Sequence, residues 1–190
     1  MICKRHVALL LMATVVASCR SSPPKHFYVL DPVPPQQGQS ATTQAVVQLA
    51  AVNIPPSIDR QEMVRESAAD SLEISDVNRW GAPLADMTQD VLTRDLVERL
   101  PANQVIPPRT SAPAGAYVIT VDLLQFGTDA TGNVVLEGGW SLYRLGADTP
   151  LLNRNFKLSQ RPASGDYATE PRLMSQLLGR LADGIVSAIP

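Results

Sequence analysis

The chain has 190 residues, a mass of 20.5 kDa and 45% hydrophobic residues, enough for one domain with a real core and too short for two. Its formal net charge is −2, with 16 basic residues against 18 acidic ones. That balance argues against a nucleic-acid partner, which would require a basic stripe.

Lys4-Arg5 precedes an apolar run from Val7 to Ala17 with small residues at its end, the pattern of a secretion signal over residues 1–18. The run is shorter than the roughly 20 apolar residues a comfortable membrane span needs. Val16-Ala17-Ser18-Cys19 has the form of a bacterial lipobox, with cleavage between Ser18 and Cys19 and a diacylglyceryl group on the Cys19 thiol. The alternative is an ordinary signal with a Cys nearby. Cys3 leaves with the signal, so Cys19 has no intramolecular disulfide partner. At about 0.8 kcal/mol per buried methylene, one acyl chain binds reversibly, whereas two or three on one Cys hold a protein stably on a bilayer. Removal of Lys4 and Arg5 leaves 14 of the 16 basic residues against all 18 acidic ones, which disfavours electrostatic binding to anionic lipid. Arg20, where an Asp would favour inner-membrane retention, points to the outer membrane and its periplasmic face.

Residues 19–26 read as a lipidated tether, since Pro23-Pro24 cannot continue a helix. The remaining residues, 27–190, form the single domain. Phe27 to Leu30 is a first strand that inserts in the sheet or edges it, and Asp31-Pro32 ends it. Pro32 to Gln44 is a loop of Pro, Gln, Ser, Thr and Gly. Val46 to Val52 is short, apolar and β-branched, hence a buried strand, and Pro55-Pro56 closes it. Glu62 to Arg65 and Ser71 to Ser75 pair as a hairpin across a turn at Ala68-Ala69-Asp70. Asn78-Arg79-Trp80-Gly81-Ala82-Pro83-Leu84 leads into a helix whose Leu84, Met87, Val91, Leu92, Leu96 and Leu100 recur at intervals that place them on one stripe.

After Pro101 a brief strand spans Gln104 to Ile106, followed by a loose loop to Gly115. Ala116 to Phe126, Val134 to Arg144 and Leu151 to Gln160 alternate as three strands of an antiparallel meander. A last helix starts near Thr169, its predicted N-cap, with Glu170 and Pro171 suited to the first turn. Its Leu173, Leu177, Leu178, Leu181, Ile185 and Ile189 pack on the sheet or meet a partner, Gly179 and Gly184 permitting close approach. These elements predict a single-domain α+β fold: a twisted, mostly antiparallel sheet with two amphipathic helices packed on one face.

The order strand, Pro-Pro-x-x-Asp-Arg, hairpin, Arg-Trp-x-x-Pro-Leu, helix resembles the PqiC-like (YmbA) family of ABC-type transport auxiliary lipoproteins. Cys19, the Phe27-Tyr28-Val29-Leu30-Asp31 segment and Trp140 on a late strand carry the resemblance across nearly all of the chain after the signal. It implies a periplasmic lipoprotein accessory to a system moving lipids between the two membranes, with an MCE-domain protein and inner-membrane transporter components as partners.

No catalytic constellation is legible. His6 lies in the signal and His26 beside the tether, so the folded body has no imidazole for general-base work. The usual nitrogen and sulfur ligands for zinc are missing, and Gly138-Gly139 lies in a strand without a following Lys, unlike a phosphate loop. Neither a metal nor another cofactor is called for. The clustered acids Asp59, Glu62, Glu66, Asp70 and Glu73 read as a solvated face.

The residues better suited to binding are Asp59 and Arg60, which form a local salt-bridged turn or a subunit contact; Arg79 and Trp80, core closure or an interface centre; and Trp140, core or a sheet-face contact. The expected role is therefore a tethered, non-enzymatic adaptor, possible also as a homo-oligomer. Two other classes remain open: an activator of a cell-envelope enzyme such as a cell-wall synthase, and a direct lipid carrier with an apolar cavity of several hundred Å³.

Overall fold

The computed structural model describes residues 23–35, 43–68 and 70–190. The signal, Ser18 and Cys19, the first tether residues, part of the loop after Pro32 and Ala69 of the hairpin turn lie outside the described residues.

Among the described residues, eight strands fall into two sheets. The larger contains β2 (Val47–Asn53), β5 (Val105–Ile106), β6 (Tyr117–Thr128), β7 (Val134–Arg144) and β8 (Leu152–Gln160), in the order β5-β2-β6-β7-β8. The smaller contains β1 (His26–Tyr28), β3 (Glu62–Glu66) and β4 (Leu72–Trp80), in the order β1-β4-β3. The β6-β7-β8 meander and the β3-β4 hairpin are antiparallel as predicted, whereas β1 on β4, and β5 and β6 on β2, are parallel. Parallel pairing of β2 with β6 is what the intervening helix makes possible, since a crossover must carry the chain back to the same end of the sheet.

The two α-helices among the described residues are α1 (Leu84–Arg99) and α2 (Glu170–Val186). They pack against each other and on one face of the five-stranded sheet, α1 over β2 and β5, α2 over β6, β7 and β8. All six predicted stripe residues of α1 are buried, and so are all six of the terminal helix. The α2 stripe thus meets the chain's own core, and the close approach at Gly179 comes from the chain's own Val33 and Arg99. Leu49, Ile119, Leu136, Leu142, Met174, Leu177 and Leu178 fill the space between sheet and helices.

Helix entry differs from the prediction. Thr169 makes no side-chain cap; a 3₁₀ turn over Tyr167–Thr169 leads into α2, and Asp166 caps it by accepting from the Ala168 amide at 3.1 Å. For α1, Pro83 stands at the N-cap and cannot cap with its side chain, so Asp59, 26 residues away, accepts from the Ala85 amide at 3.1 Å.

One irregularity shapes the sheet. The register of β6 on β7 shifts between Leu123 and Gln125, a bulge that turns Leu124 to solvent. Gly138 lies opposite, where a Cβ would stand 2.2 Å from the Asp122 carbonyl oxygen. Only glycine fits beneath the bulge.

The chain leaves β1 as a strap over the helices. Leu30 enters the core, the Asp31 amide donates to Ser175 Oγ at 3.1 Å, and the Val33 amide donates to Asp95 Oδ1 at 2.8 Å. Arg99 closes the clasp: NH1 donates to the Val33 carbonyl at 3.0 Å and Nε to Asp183 Oδ1 at 2.6 Å. Arg99 and Asp95 are buried, so α1, α2 and the strap share one desolvated polar cluster.

Candidate functional site

The residues singled out from sequence divide between one surface corner and the core. Asp59, Arg60 and Arg79 come together where the loop after β2 meets the start of β3 and the end of β4. Asp59 and Arg60 do not pair with each other; Asp59 serves α1, as above, and Arg60 Nε donates to Glu62 Oε2 at 3.1 Å. Arg79 NH1 reaches the other Glu62 oxygen at 3.3 Å and donates to Gln61 Oε1 at 2.8 Å. Glu62 therefore bridges two guanidinium groups. Its own backbone amide first, then the Arg60 side chain, hold its carboxyl below the usual range. Trp80, next along β4, is 3% exposed and closes the core beneath this corner, while Trp140 is 4% exposed and sits opposite Val121 in the other sheet.

A second feature was not singled out from sequence. Leu124 is 72% exposed, Leu72 46% and Ile74 42%. Leu72 and Leu124 line one groove of about 70 Å³ together with Ile58, Val64 and Phe126, and Ile74 stands opposite Val64 in the β3-β4 register. The hairpin and the β6 bulge thus bring a ridge of exposed apolar side chains to a shallow cleft whose lining also includes Glu66, opposite Leu72, and the polar Ser57 and Gln125. Two signals could have revealed it: the doubled Leu123-Leu124, which breaks the alternation of β6, and the hairpin's position on a strand pair too short to be covered on both faces.

The reverse face of the hairpin fixes the ridge in place. Arg65 Nε donates to Glu170 Oε2 at 2.9 Å, its guanidinium lies 3.4 Å from the centroid of the Tyr167 ring, and Tyr167 donates to Glu73 Oε1 at 2.9 Å. Burial first, then the bond to Glu73, pushes the Tyr167 phenol up to about 12. Glu170 also accepts from the Thr128 amide at 3.1 Å, which ties the end of β6 to the hairpin through the first residue of α2. The ridge is therefore presented on a braced frame, as an interaction surface needs.

On the outer face of the larger sheet a hollow of about 370 Å³ is lined by Asp122, Gly139, Ser141, Asn153 and Asn155. Its lining adds Glu137 to Asp122 but holds neither His nor Cys, and no group of three or more metal-ligating side chains occurs among the described residues. No helix among the described residues is long and apolar enough to cross a membrane.

The profile of the family described as an ABC-type transport auxiliary lipoprotein component matches residues 28–186. The chain belongs to this family. Two solved structures share the fold of this auxiliary lipoprotein. One, titled only as an uncharacterized protein, aligns with a TM-score of 0.74 at 19% identity, covering 88% of this chain and 100% of its own. The other, protein XCC0632 from Xanthomonas campestris, of family DUF330, aligns with a TM-score of 0.68 at 17% identity, covering 85% and 92%. No curated protein matches the chain. The auxiliary lipoprotein family carries with it association with an ABC-type transport system and a lipoprotein character.

Proposed function

We propose that this auxiliary lipoprotein is a non-catalytic adaptor, anchored through Cys19 after removal of residues 1–18, and held on the periplasmic face of the outer membrane. It serves an MCE-type lipid transport system between the inner and outer membranes. The observation that carries the docking part of this reading is the ridge of Leu72, Ile74 and Leu124, exposed apolar side chains on a braced hairpin and bulge. The Glu62 corner, with Asp59, Arg60 and Arg79, supplies charged groups of the kind found at an interface rim. The MCE-domain protein is the partner proposed for the ridge, with inner-membrane components beyond it, and a homo-oligomer would use the same surface.

A carrier reading is less well supported, because the space between sheet and helices is occupied by fully buried side chains, the cleft beside the ridge measures about 70 Å³, and the two hollows of about 370 Å³ lie open on the surface. A bound lipid needs an apolar cavity of roughly 300–1,000 Å³ that encloses most of its surface.

The test is photo-crosslinking in the native envelope from a probe at Leu124 in the full-length chain, with a probe at Asn155 as reference. Adducts to an MCE-domain protein that vanish in a Leu72→Ser, Ile74→Ser background are the expected result. Adducts to a cell-wall synthase in their place would overturn the transport assignment, and adducts to a second copy alone would reassign the ridge to self-assembly.

A further inference from the structure

We propose that the β1 edge of the body, led by Phe27 and Val29, rests on the bilayer surface itself, so that the protein is held in one orientation and does not swing freely on its tether. This inference rests on the reading of Cys19 as the lipidated residue. Phe27 is 60% exposed and Val29 55% exposed, and among the described residues β1 is an edge strand paired with β4 alone. Phe27 on β1 and Val29 just after it are more exposed than Leu72 and Ile74, and they lie at the end of β4 opposite to that ridge.

Their place in the chain selects the occupant. Cys19 stands seven residues before His26. Fully extended at roughly 3.3–3.6 Å per residue, that length spans at most about 25 Å, so β1 is the part of the fold that cannot be far from the membrane. A tethered contact is intramolecular, with an effective concentration in the millimolar range for a short linker, so two apolar side chains suffice where a free protein would need a larger patch. Exposed Phe and Val beside headgroups are the composition of an interfacial contact.

The surroundings agree. Behind Val29 lies a hollow of about 370 Å³ whose lining includes Pro32, Pro171, Ala168 and Arg172, with Asp31 as its one acid. Lys25 precedes β1, and Arg172 lines the hollow together with Asp31. A zwitterionic headgroup meets one charge of each sign there while Phe27 and Val29 enter the region below it.

The test uses the acylated full-length protein in vesicles of phosphatidylethanolamine and phosphatidylglycerol, read by hydrogen exchange of the His26–Asp31 segment. Exchange there should slow about tenfold relative to the signal-less body in solution. Phe27→Glu with Val29→Glu should restore fast exchange while the acylated protein stays on the vesicles, and Leu72→Glu with Ile74→Glu should leave the protection intact. Both pairs are exposed, and an unchanged melting temperature confirms that the fold survives. If the protein is acylated and vesicle-bound but the segment exchanges as fast as in solution, the docking inference fails and the anchor stands. If mass spectrometry finds Cys19 unmodified and the protein leaves the vesicles, the anchor reading itself fails. Protection that grows with protein density at fixed lipid composition would assign the edge to a second copy and overturn the proposal.

Discussion

Arg99 on α1 donates from Nε to the Asp183 carboxylate on α2 at 2.6 Å, and the same guanidinium reaches the Val33 carbonyl on the strap. A fully buried cation thus joins three segments that are distant in sequence. Arg99→Met keeps the aliphatic stem but leaves Asp95 buried without its cation, so it should destabilise the fold by about 3–5 kcal/mol in urea unfolding. Adding Asp95→Leu should recover part of that loss, because it removes the fully buried carboxylate and leaves only the partly exposed Asp183 without its cation.

The same cluster predicts an unusual pH dependence. Burial first, opposed by the Val33 amide and by Arg99, pushes the Asp95 carboxyl up to about 6 from an ordinary value of 3.8, with Glu98 and Asp183 adding to the rise. The native state then holds a proton that the unfolded chain releases. The Asp95 contribution to stability is present below about pH 4 and is lost as pH rises through about 6. Relative to wild type, Asp95→Asn should be least advantageous near pH 4 and gain steadily towards pH 7, measured as the difference in urea midpoint. A flat difference would place the carboxyl at its ordinary value.

Two glycines should respond in opposite directions. Gly138→Ala drives a methyl group to 2.2 Å from the Asp122 carbonyl and 2.9 Å from Leu123 Cα, both backbone, and should cost at least about 1–3 kcal/mol. At Gly184, inside α2, a methyl group meets nothing within 4 Å, so Gly184→Ala should stabilise by about 0.5–1 kcal/mol. Thermal unfolding of the pair gives the comparison.

Glu170→Ala removes the acceptor shared by Arg65 and the Thr128 amide. A loss of about 1.5–3 kcal/mol is expected for bonds to a charged group in this setting. The hairpin should loosen first, seen as faster hydrogen exchange at Met63 to Arg65 with little change at Ile119 to Leu123. Uniform acceleration across both would mean that the hairpin does not open as a separate unit.

Much of the fold was legible because its signals are local. The stripes from Leu84 to Leu100 and Leu173 to Ile189 repeat every three or four residues, and the β6-β7-β8 alternation repeats every two, so helix faces and strand faces follow from spacing alone. What escaped was set by partners far along the chain. Nothing near Pro83 announces that Asp59 will serve the helix start, nor does Asp95 look buried until Val33 and Arg99 are placed against it. The division into two sheets was hidden for the same reason, since β4 shows hairpin chemistry towards β3 but no mark of its parallel neighbour β1.

The candidate surface was legible in part. Sequence singled out Asp59 with Arg60 and, a hairpin later, Arg79 with Trp80, and the structure gathers Arg60 and Arg79 on Glu62, whereas the ridge of Leu72, Ile74 and Leu124 emerges only once the bulge and the hairpin are set side by side. An exposed leucine is unremarkable in a sequence. Two leucines and an isoleucine, brought together from β4 and β6 in different sheets, become a surface through topology alone.

The clasp at Val33 also sets how the molecule would bear mechanical load. A pull on the N-terminal end acts first on the three short pairs of β1, which can peel from β4 one after another. The pull then arrives at a point gripped from both helices at once, where the Asp95, Arg99 and Ser175 bonds must give way together. Tension from that end would therefore be stopped at the helix pair before it reached the five-stranded sheet, while the edge strand yields.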